Sequence, residues 1–222
     1  MEYLQALKVA FEENTDPARA AGAKRYMRNI SEFYGIDSPK RRELLLRFLG
    51  ESGLPKIEQL PELVYYAWDQ PQREWQYIAM EITARLARKA GPGLLELATF
   101  MITHKSWWDS VDFISPNIAG VVLKKYPELI PDQVEAWMQS GNMWLQRTCL
   151  LFQMKYRMDT DKDLLFSLCV RLSGHKDFFI RKAIGWSLRE YSKRNPTAVL
   201  EFVNTHTISA LSFREAVKRI TL

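Results

Sequence analysis

The sequence predicts an all-α protein built as a solenoid of stacked helix pairs, and three observations predict it. Nearly every segment carries apolar residues at helical spacing, with no sustained alternation and no Asn-Gly or Asp-Gly hairpin signal. Pro17, Pro39, Pro61, Pro71, Pro131 and Pro196 stand at or near helix starts, where a missing N–H removes no internal bond. Four of the longer helices begin with an aromatic residue: Trp75, Trp107, Trp144 and Phe179 follow one another at intervals of 32, 37 and 35 residues. Each interval accommodates one helix pair, which is the pattern of a HEAT- or armadillo-type α-solenoid, although the intervals are shorter than usual. Such a stack lines one concave surface with its inner helices. A plain helical bundle is the other architecture compatible with the pattern.

The 222 residues are expected to form a single domain, 1–222, with a core of ordinary size. An apolar content of 47% with ten glycines and ten prolines describes a folded chain. No apolar run approaches the length of a membrane span, and the amphipathic start Met1-Glu2-Tyr3-Leu4 does not resemble a signal peptide. A cytoplasmic protein with reduced core thiols at Cys149 and Cys169 is therefore expected. His104, His175 and His206 are isolated, so no metal site is expected. The net charge of +5 is modest, and an anionic partner requires the bases to be gathered on one surface.

In chain order, helices are predicted at 2–14, 16–29, 39–51, 56–69, 71–90, 93–104, 106–125, 131–139, 142–157, 161–173, 176–195, 196–205 and 211–220. Asp16-Pro17 and Ser38-Pro39 supply N-caps, while Gly53, Gly91-Pro92-Gly93, Ser140-Gly141 and Ser173-Gly174 mark loops. Pro116 lies inside the 106–125 helix and should kink or restart it.

The segment Ser106-Trp107-Trp108-Asp109-Ser110-Val111-Asp112 places two indoles and two carboxylates within seven residues. At helical spacing Trp107, Val111, Ile114, Ile118 and Val122 share a core-facing stripe. Trp108 and Asp112 lie four apart on a neighbouring face, which marks them as candidate site residues. An amphipathic indole at the core edge beside a solvated or capping Asp explains the same spacing. On 142–157 the circumference is mostly apolar, yet Arg147 and Lys155 lie on about the same face. A cation there needs a partner, either a phosphate or an acid such as Asp112. On 176–195, Lys182, Trp186, Arg189 and Lys193 form a stripe opposite Ile180, Ile184, Leu188 and Tyr191. Indole faces stack on bases and sugars and attract cations; an Arg–Trp surface stack is the structural explanation. Lys24-Arg25-Tyr26-Met27-Arg28 and Lys40-Arg41-Arg42 add bases near the N-terminus, weak evidence alone because such runs are usually solvated.

These residues resemble a known family. The 106–112 segment, Trp144-Leu145-Gln146-Arg147, Leu151-Phe152-Gln153-Met154-Lys155-Tyr156 and the run from Phe178 to Tyr191 are similar, in order, to the AlkD-like DNA alkylation repair enzymes. The likeness extends from Tyr26 to Glu215. It implies a solenoid of HEAT-like repeats whose groove binds double-stranded DNA, and a glycosylase that hydrolyses the N-glycosidic bond of N3- and N7-alkylated purines. By position it implies Asp112 as the catalytic carboxylate, with Trp108 and Trp186 bracketing the lesion's sugar. Arg147 and Lys155 are implied as backbone contacts and Tyr26 as another; the stripe on 176–195 adds Lys182, Arg189 and Lys193 as further candidate DNA contacts. Asp37 departs from the resemblance, because it stands where glutamine is expected and an acid there weakens a phosphate contact. No cofactor, no metal and a monomeric state are expected, with excision taking place without base flipping. Two other readings use the same helices: a repeat protein that binds damaged or branched DNA without cutting it, and a protein-interaction solenoid.

Overall fold

The computed structural model describes residues 1–220, and those residues divide into two compact units, 1–90 and 91–220. Both are helical throughout. Among the described residues the sole β pairing is an isolated bridge between Glu32 and Gln72, and no helix is long and apolar enough to cross a membrane.

The first unit holds α1 (Gln5–Glu13), α2 (Pro17–Tyr26), α3 (Ser38–Ser52), α4 (Leu60–Asp69) and α5 (Arg73–Leu86). Its helix starts follow the sequence signals. The Asp16 carboxylate accepts the Ala18 and Arg19 N–H groups, each at 3.0 Å, with Pro17 at the first helical position. At α3 the cap is Asp37 and not the expected Ser38: Asp37 accepts the Lys40 N–H at 2.9 Å and Ser38 is already the first helical residue. Trp75 is fully buried in α5 and packs against Phe11 at 5.1 Å and Tyr66 at 5.8 Å between ring centroids. The predicted helix 16–29 ends at Tyr26, because Arg28 and Asn29 turn into the left-handed region with φ of 55° and 59°.

The second unit holds α6 (Leu94–Thr103), α7 (Trp108–Ile114), α8 (Gly120–Lys125), α9 (Ile130–Gln139), α10 (Met143–Leu151), α11 (Lys162–Arg171), α12 (Phe178–Ser192), α13 (Pro196–Thr205) and α14 (Ala210–Val217). Its repeat character is visible in two places. Trp107, Trp144 and Phe179, equivalent positions in successive helix pairs, meet in one aromatic cluster with centroids 5.2–5.9 Å apart. Helices α6 and α13 also end alike. Phe100 stacks on His104 at 4.2 Å and Phe202 on His206 at 4.5 Å, each histidine Nδ1 lying about 3 Å from the phenylalanine carbonyl.

The predicted helix 106–125 is divided. Trp107 is extended (φ −155°, ψ 165°), α7 begins at Trp108, and residues Ser115–Ala119 form a π-helical turn before α8. Pro116 is the cause. It has no N–H for the carbonyl four residues back, which is that of Asp112, so the ladder slips by one residue. The Gly120 N–H accordingly reaches the Ser115 carbonyl, five residues back. Four of the five predicted stripe residues, Val111, Ile114, Ile118 and Val122, are fully buried, whereas Trp107 precedes the helix and is half-buried. The predicted helix 142–157 likewise leaves the α form after Leu151 and tightens into a 3-10 turn at Phe152–Lys155. Cys149 and Cys169 are buried free thiols, and burial pushes each up to about 12.

Candidate functional site

The site is built on the second unit. Its centre is Asp112, on the third residue before the π-turn, facing Arg147 on α10. The Arg147 Nε donates to Oδ1 of Asp112 at 2.7 Å and Nη2 donates to Oδ2 at 2.8 Å, a side-on bidentate pair. The remaining nitrogen, Nη1, donates to the Phe179 carbonyl oxygen in the first turn of α12, and the guanidinium lies 5.9 Å from the Phe179 ring centre. Arg147 thus ties three helix pairs together. Its side chain is 3% exposed while that of Asp112 is 18% exposed, so the carboxylate, not the guanidinium, is the member of the pair that solvent reaches.

This arrangement sets the electrostatics of Asp112. Burial raises its carboxyl above the ordinary aspartate value; Arg147 pulls it down, Asp109 pushes it up, and the net displacement is upward. The Phe179 ring beside Arg147 belongs to the half-buried cluster with Trp107 and Trp144, and the Trp107 indole N–H is buried and without an acceptor among the described residues. Two side-chain caps fix the helices that bring the partners in. Asn142 Oδ1 accepts the Trp144 N–H at 2.9 Å at the start of α10, and Asp177 Oδ1 accepts the Phe179 N–H at 2.6 Å at the start of α12.

From Asp112 the π-turn and the 3-10 extension of α10 run side by side, joined by successive rungs. Ser115 Oγ donates to Thr148 Oγ1 at 3.0 Å, Lys155 Nζ donates to Asn117 Oδ1 at 2.6 Å, and the Tyr156 hydroxyl donates to the Gly120 carbonyl at 2.7 Å. Gly120 is required here, since a β-carbon on it would collide with the Phe152 carbonyl. Asn117 is a residue that sequence reasoning missed. Five residues after Asp112, it falls about 140° away on an α-helix, but the wider π-turn brings it round to Lys155. Its amide is oriented by donating Nδ2 to the Phe113 carbonyl at 2.7 Å. The signal that could have found it is the neighbouring Pro116.

The candidate residues are placed as follows. Trp108 and Trp186 are each half-buried. Lys155 is exposed, anchored on Asn117. Lys182 and Arg189 converge from α12 on one carboxylate, Glu215 of α14, with Lys182 Nζ at 2.6 Å and Arg189 Nη1 also bonded to it. Lys193 pairs with Glu190 one turn back. Each base of the stripe beside Trp186 is therefore already paired with a carboxylate, and Glu215 had no local sequence signal because it lies 26 residues beyond Arg189. Lys182 and Arg189 hold that carboxyl below the ordinary glutamate value. Gly185 lets α14 come close enough, with Ser212 donating to the Arg181 carbonyl at 2.8 Å. Tyr26 belongs to the first unit, at the end of α2, and is 73% exposed. Asp37 has a structural reason to be an acid: it caps α3 and forms an ion pair with Arg19.

A helical repeat protein with a half-buried carboxylate clamped by arginine and accompanied by indoles is the class that the fold and the site define. The family profile of the DNA alkylation repair enzymes matches residues 7–220, and the chain belongs to that family. Among solved structures it is similar to a predicted DNA alkylation repair enzyme from Enterococcus faecalis, at 31% identity and a TM-score of 0.84, over 93% of this chain and 97% of that one. No curated protein matches significantly. Membership gives the chain a role in the repair of alkylated DNA, with DNA as its partner.

Proposed function

We propose that the protein is a monofunctional DNA glycosylase that hydrolyses the N-glycosidic bond of N3- and N7-alkylated purines in duplex DNA. The observation that carries the reading is the Asp112–Arg147 pair, in which the acid keeps an open edge while the base is buried. An alkyl group on N3 or N7 makes the purine cationic, so it departs as a neutral base and leaves positive charge on the sugar. A fixed carboxylate stabilises that oxocarbenium character and orients or deprotonates the attacking water. Arg147 fixes the carboxylate through two parallel bonds, so little reorganisation accompanies the reaction.

In this reading Trp108 and Trp186 offer indole faces to the sugar, where the ring quadrupole favours developing positive charge. Lys155 contacts a phosphate, and Tyr26 makes a further contact. Arg147, expected from the resemblance as a backbone contact, is buried on Asp112 and the Phe179 carbonyl, so in this reading it positions the carboxylate and leaves the phosphate contacts to exposed side chains. Lys182, Arg189 and Lys193 contribute to DNA binding after exchanging their carboxylate partners for phosphates. Excision proceeds without extrusion of the base into a pocket, and the protein acts as a monomer. The direct test is incubation of methylated duplex DNA with the protein and assay for free methylpurine. Release of 3-methyladenine or 7-methylguanine is expected. Tight binding of the same duplex with no release indicates a non-catalytic damage-binding protein instead.

A further inference from the structure

We propose that a cleft beside the C-terminal turns of α12 is a phosphate-binding subsite, separate from the Asp112 centre. The cleft is a shallow, solvent-open depression between the segment following α10 and the last turns of α12. Arg157, Thr160, Tyr191 and Arg194 contribute its polar side chains together with Gln153 and Glu190.

Three donor-bearing side chains line the cleft. The Arg157 guanidinium, the Arg194 guanidinium and the Tyr191 hydroxyl have no side-chain hydrogen-bond partner among the described residues. The acid in the lining does not neutralise them, because Glu190 is already paired with Lys193. The lining thus carries two guanidinium groups and one carboxylate that is paired elsewhere, which favours an anion. The wall that carries Arg157 is fixed, not loose. Gln153 is buried and clasps Asp161 from both sides, accepting its N–H at 2.8 Å and donating to its carbonyl at 3.3 Å. Arg157 itself adopts φ of 59°, the left-handed turn that follows the 3-10 extension of α10.

Two guanidinium forks and a hydroxyl around a small opening match the oxygens of a tetrahedral phosphate. The subsite adjoins the proposed DNA contacts in the chain: Lys155 precedes Arg157 by two residues, and Trp186 precedes Glu190 by one helical turn. A backbone phosphate of bound DNA is one source of the group and a free phosphate ester is the other. The first source rests on the DNA-repair reading; the phosphate chemistry itself does not.

The experiment has two arms. In the first, binding of an undamaged duplex is measured by fluorescence anisotropy at several salt concentrations for the wild type, Arg157→Gln, Arg194→Gln and the double variant. A backbone-phosphate site predicts that the slope of log K against log salt becomes shallower by roughly 1 per guanidinium removed. In the second, inorganic phosphate is titrated while the arginine Nε–Hε resonances are followed by NMR. Saturable shifts of the Arg157 and Arg194 signals, reduced in Tyr191→Phe, together with an unchanged duplex slope, assign the site to a free phosphate ester. Unchanged slopes with no saturable shift overturn the subsite. Both arginines are exposed, so their loss leaves the core intact. Neither arm uses base excision, so failure here with methylpurine release intact removes the cleft alone.

Discussion

Arg147 approaches Asp112 edge-on, Nε to Oδ1 at 2.7 Å and Nη2 to Oδ2 at 2.8 Å, and its third nitrogen holds the Phe179 carbonyl. The pair is asymmetric in burial, so its two members answer substitution differently. Asp112→Asn keeps an acceptor for Arg147 but removes the negative charge. Methylpurine release should fall by about 10²-fold or more, the range for losing one charge-stabilising or general-base group, while affinity for methylated duplex stays near the wild-type value. Release at the wild-type rate removes Asp112 from the chemistry.

Arg147→Ala leaves a mostly buried carboxylate without its cation. Removing one member of a buried pair costs about 3–5 kcal/mol, and the 18% exposure of Asp112 places the loss toward the low end. Lysine should not restore it, since an ammonium cannot supply two parallel bonds in the guanidinium geometry. Chemical denaturation of the three proteins checks the order, wild type above Arg147→Lys above Arg147→Ala.

The same pair sets a pH dependence. The folded-state value of Asp112 lies above its unfolded value, chiefly through burial. Folding therefore takes up a proton between the two values, and this group's stabilising contribution, full below the unfolded value, is lost as pH rises through the folded one. Activity runs the opposite way, because the ionised form is the working one. The acid limb of methylpurine release should stand above the ordinary aspartate range. In Arg147→Lys it should move to higher pH, since the bidentate bonds that pull the value down are weakened. A pH–rate profile of the two proteins decides, and an acid limb that does not move excludes Asp112 as the titrating group.

How much of this was readable in the sequence depends on the range of the interaction. The buried stripe Val111, Ile114, Ile118 and Val122 followed from periodicity, and it persists although the helix is interrupted inside it. The helix start at Asp16-Pro17 followed from local capping chemistry, whereas α3 is capped by Asp37, one residue before the expected Ser38. Trp107 was expected on the helix but precedes it, since its side chain is drawn into the cluster with Trp144 and Phe179, a contact between helix pairs. Pro116 announced a disturbance, yet spacing alone could not say that a π-turn would bring Asn117 against Lys155. The pairing of Lys182 and Arg189 with Glu215 was unreadable for the same reason: it forms between α12 and α14 and leaves no periodic trace. Asp37, which reads as a departure near a binding surface, is explained by the capping of α3.

Glu215 gives a prediction of its own. Its carboxyl is held below the ordinary glutamate value, first by the Lys182 hydrogen bond and then by the two cations. The stability this contributes is present above the unfolded value and is lost only as pH falls through the lowered folded one, so the cluster is ionised at any neutral assay pH. Glu215→Gln should release Lys182 and Arg189 for phosphates. Undamaged duplex should bind more tightly at low salt, and the salt dependence should steepen by roughly 1–2 in slope. Unchanged affinity and slope would show that those two bases face no phosphate.

The last prediction concerns the rungs between the π-turn and the end of α10. Gly120 sits so close to the Phe152 carbonyl that a β-carbon has no room, and the obstacle is backbone, which cannot rotate aside. Gly120→Ala should therefore force the two segments apart. Forced overpacking typically costs about 1–3 kcal/mol, and a backbone obstacle places this case at the upper end. The strain should be transmitted along the rungs: the Tyr156 hydroxyl loses the Gly120 carbonyl, and Lys155 is drawn away from Asn117. Asp112 and Arg147 lie beyond Ser115–Thr148, nearer the rigid start of α10, and should keep their bidentate geometry. Comparison with Asn117→Leu separates the effects, because that variant releases Lys155 without touching the backbone contact. Both variants should weaken duplex binding to a similar degree, but only Gly120→Ala should lower the melting midpoint by more than a few degrees. Equal midpoints would mean that the close approach at Gly120 relaxes at little cost, and the rungs would then not act as one rigid unit.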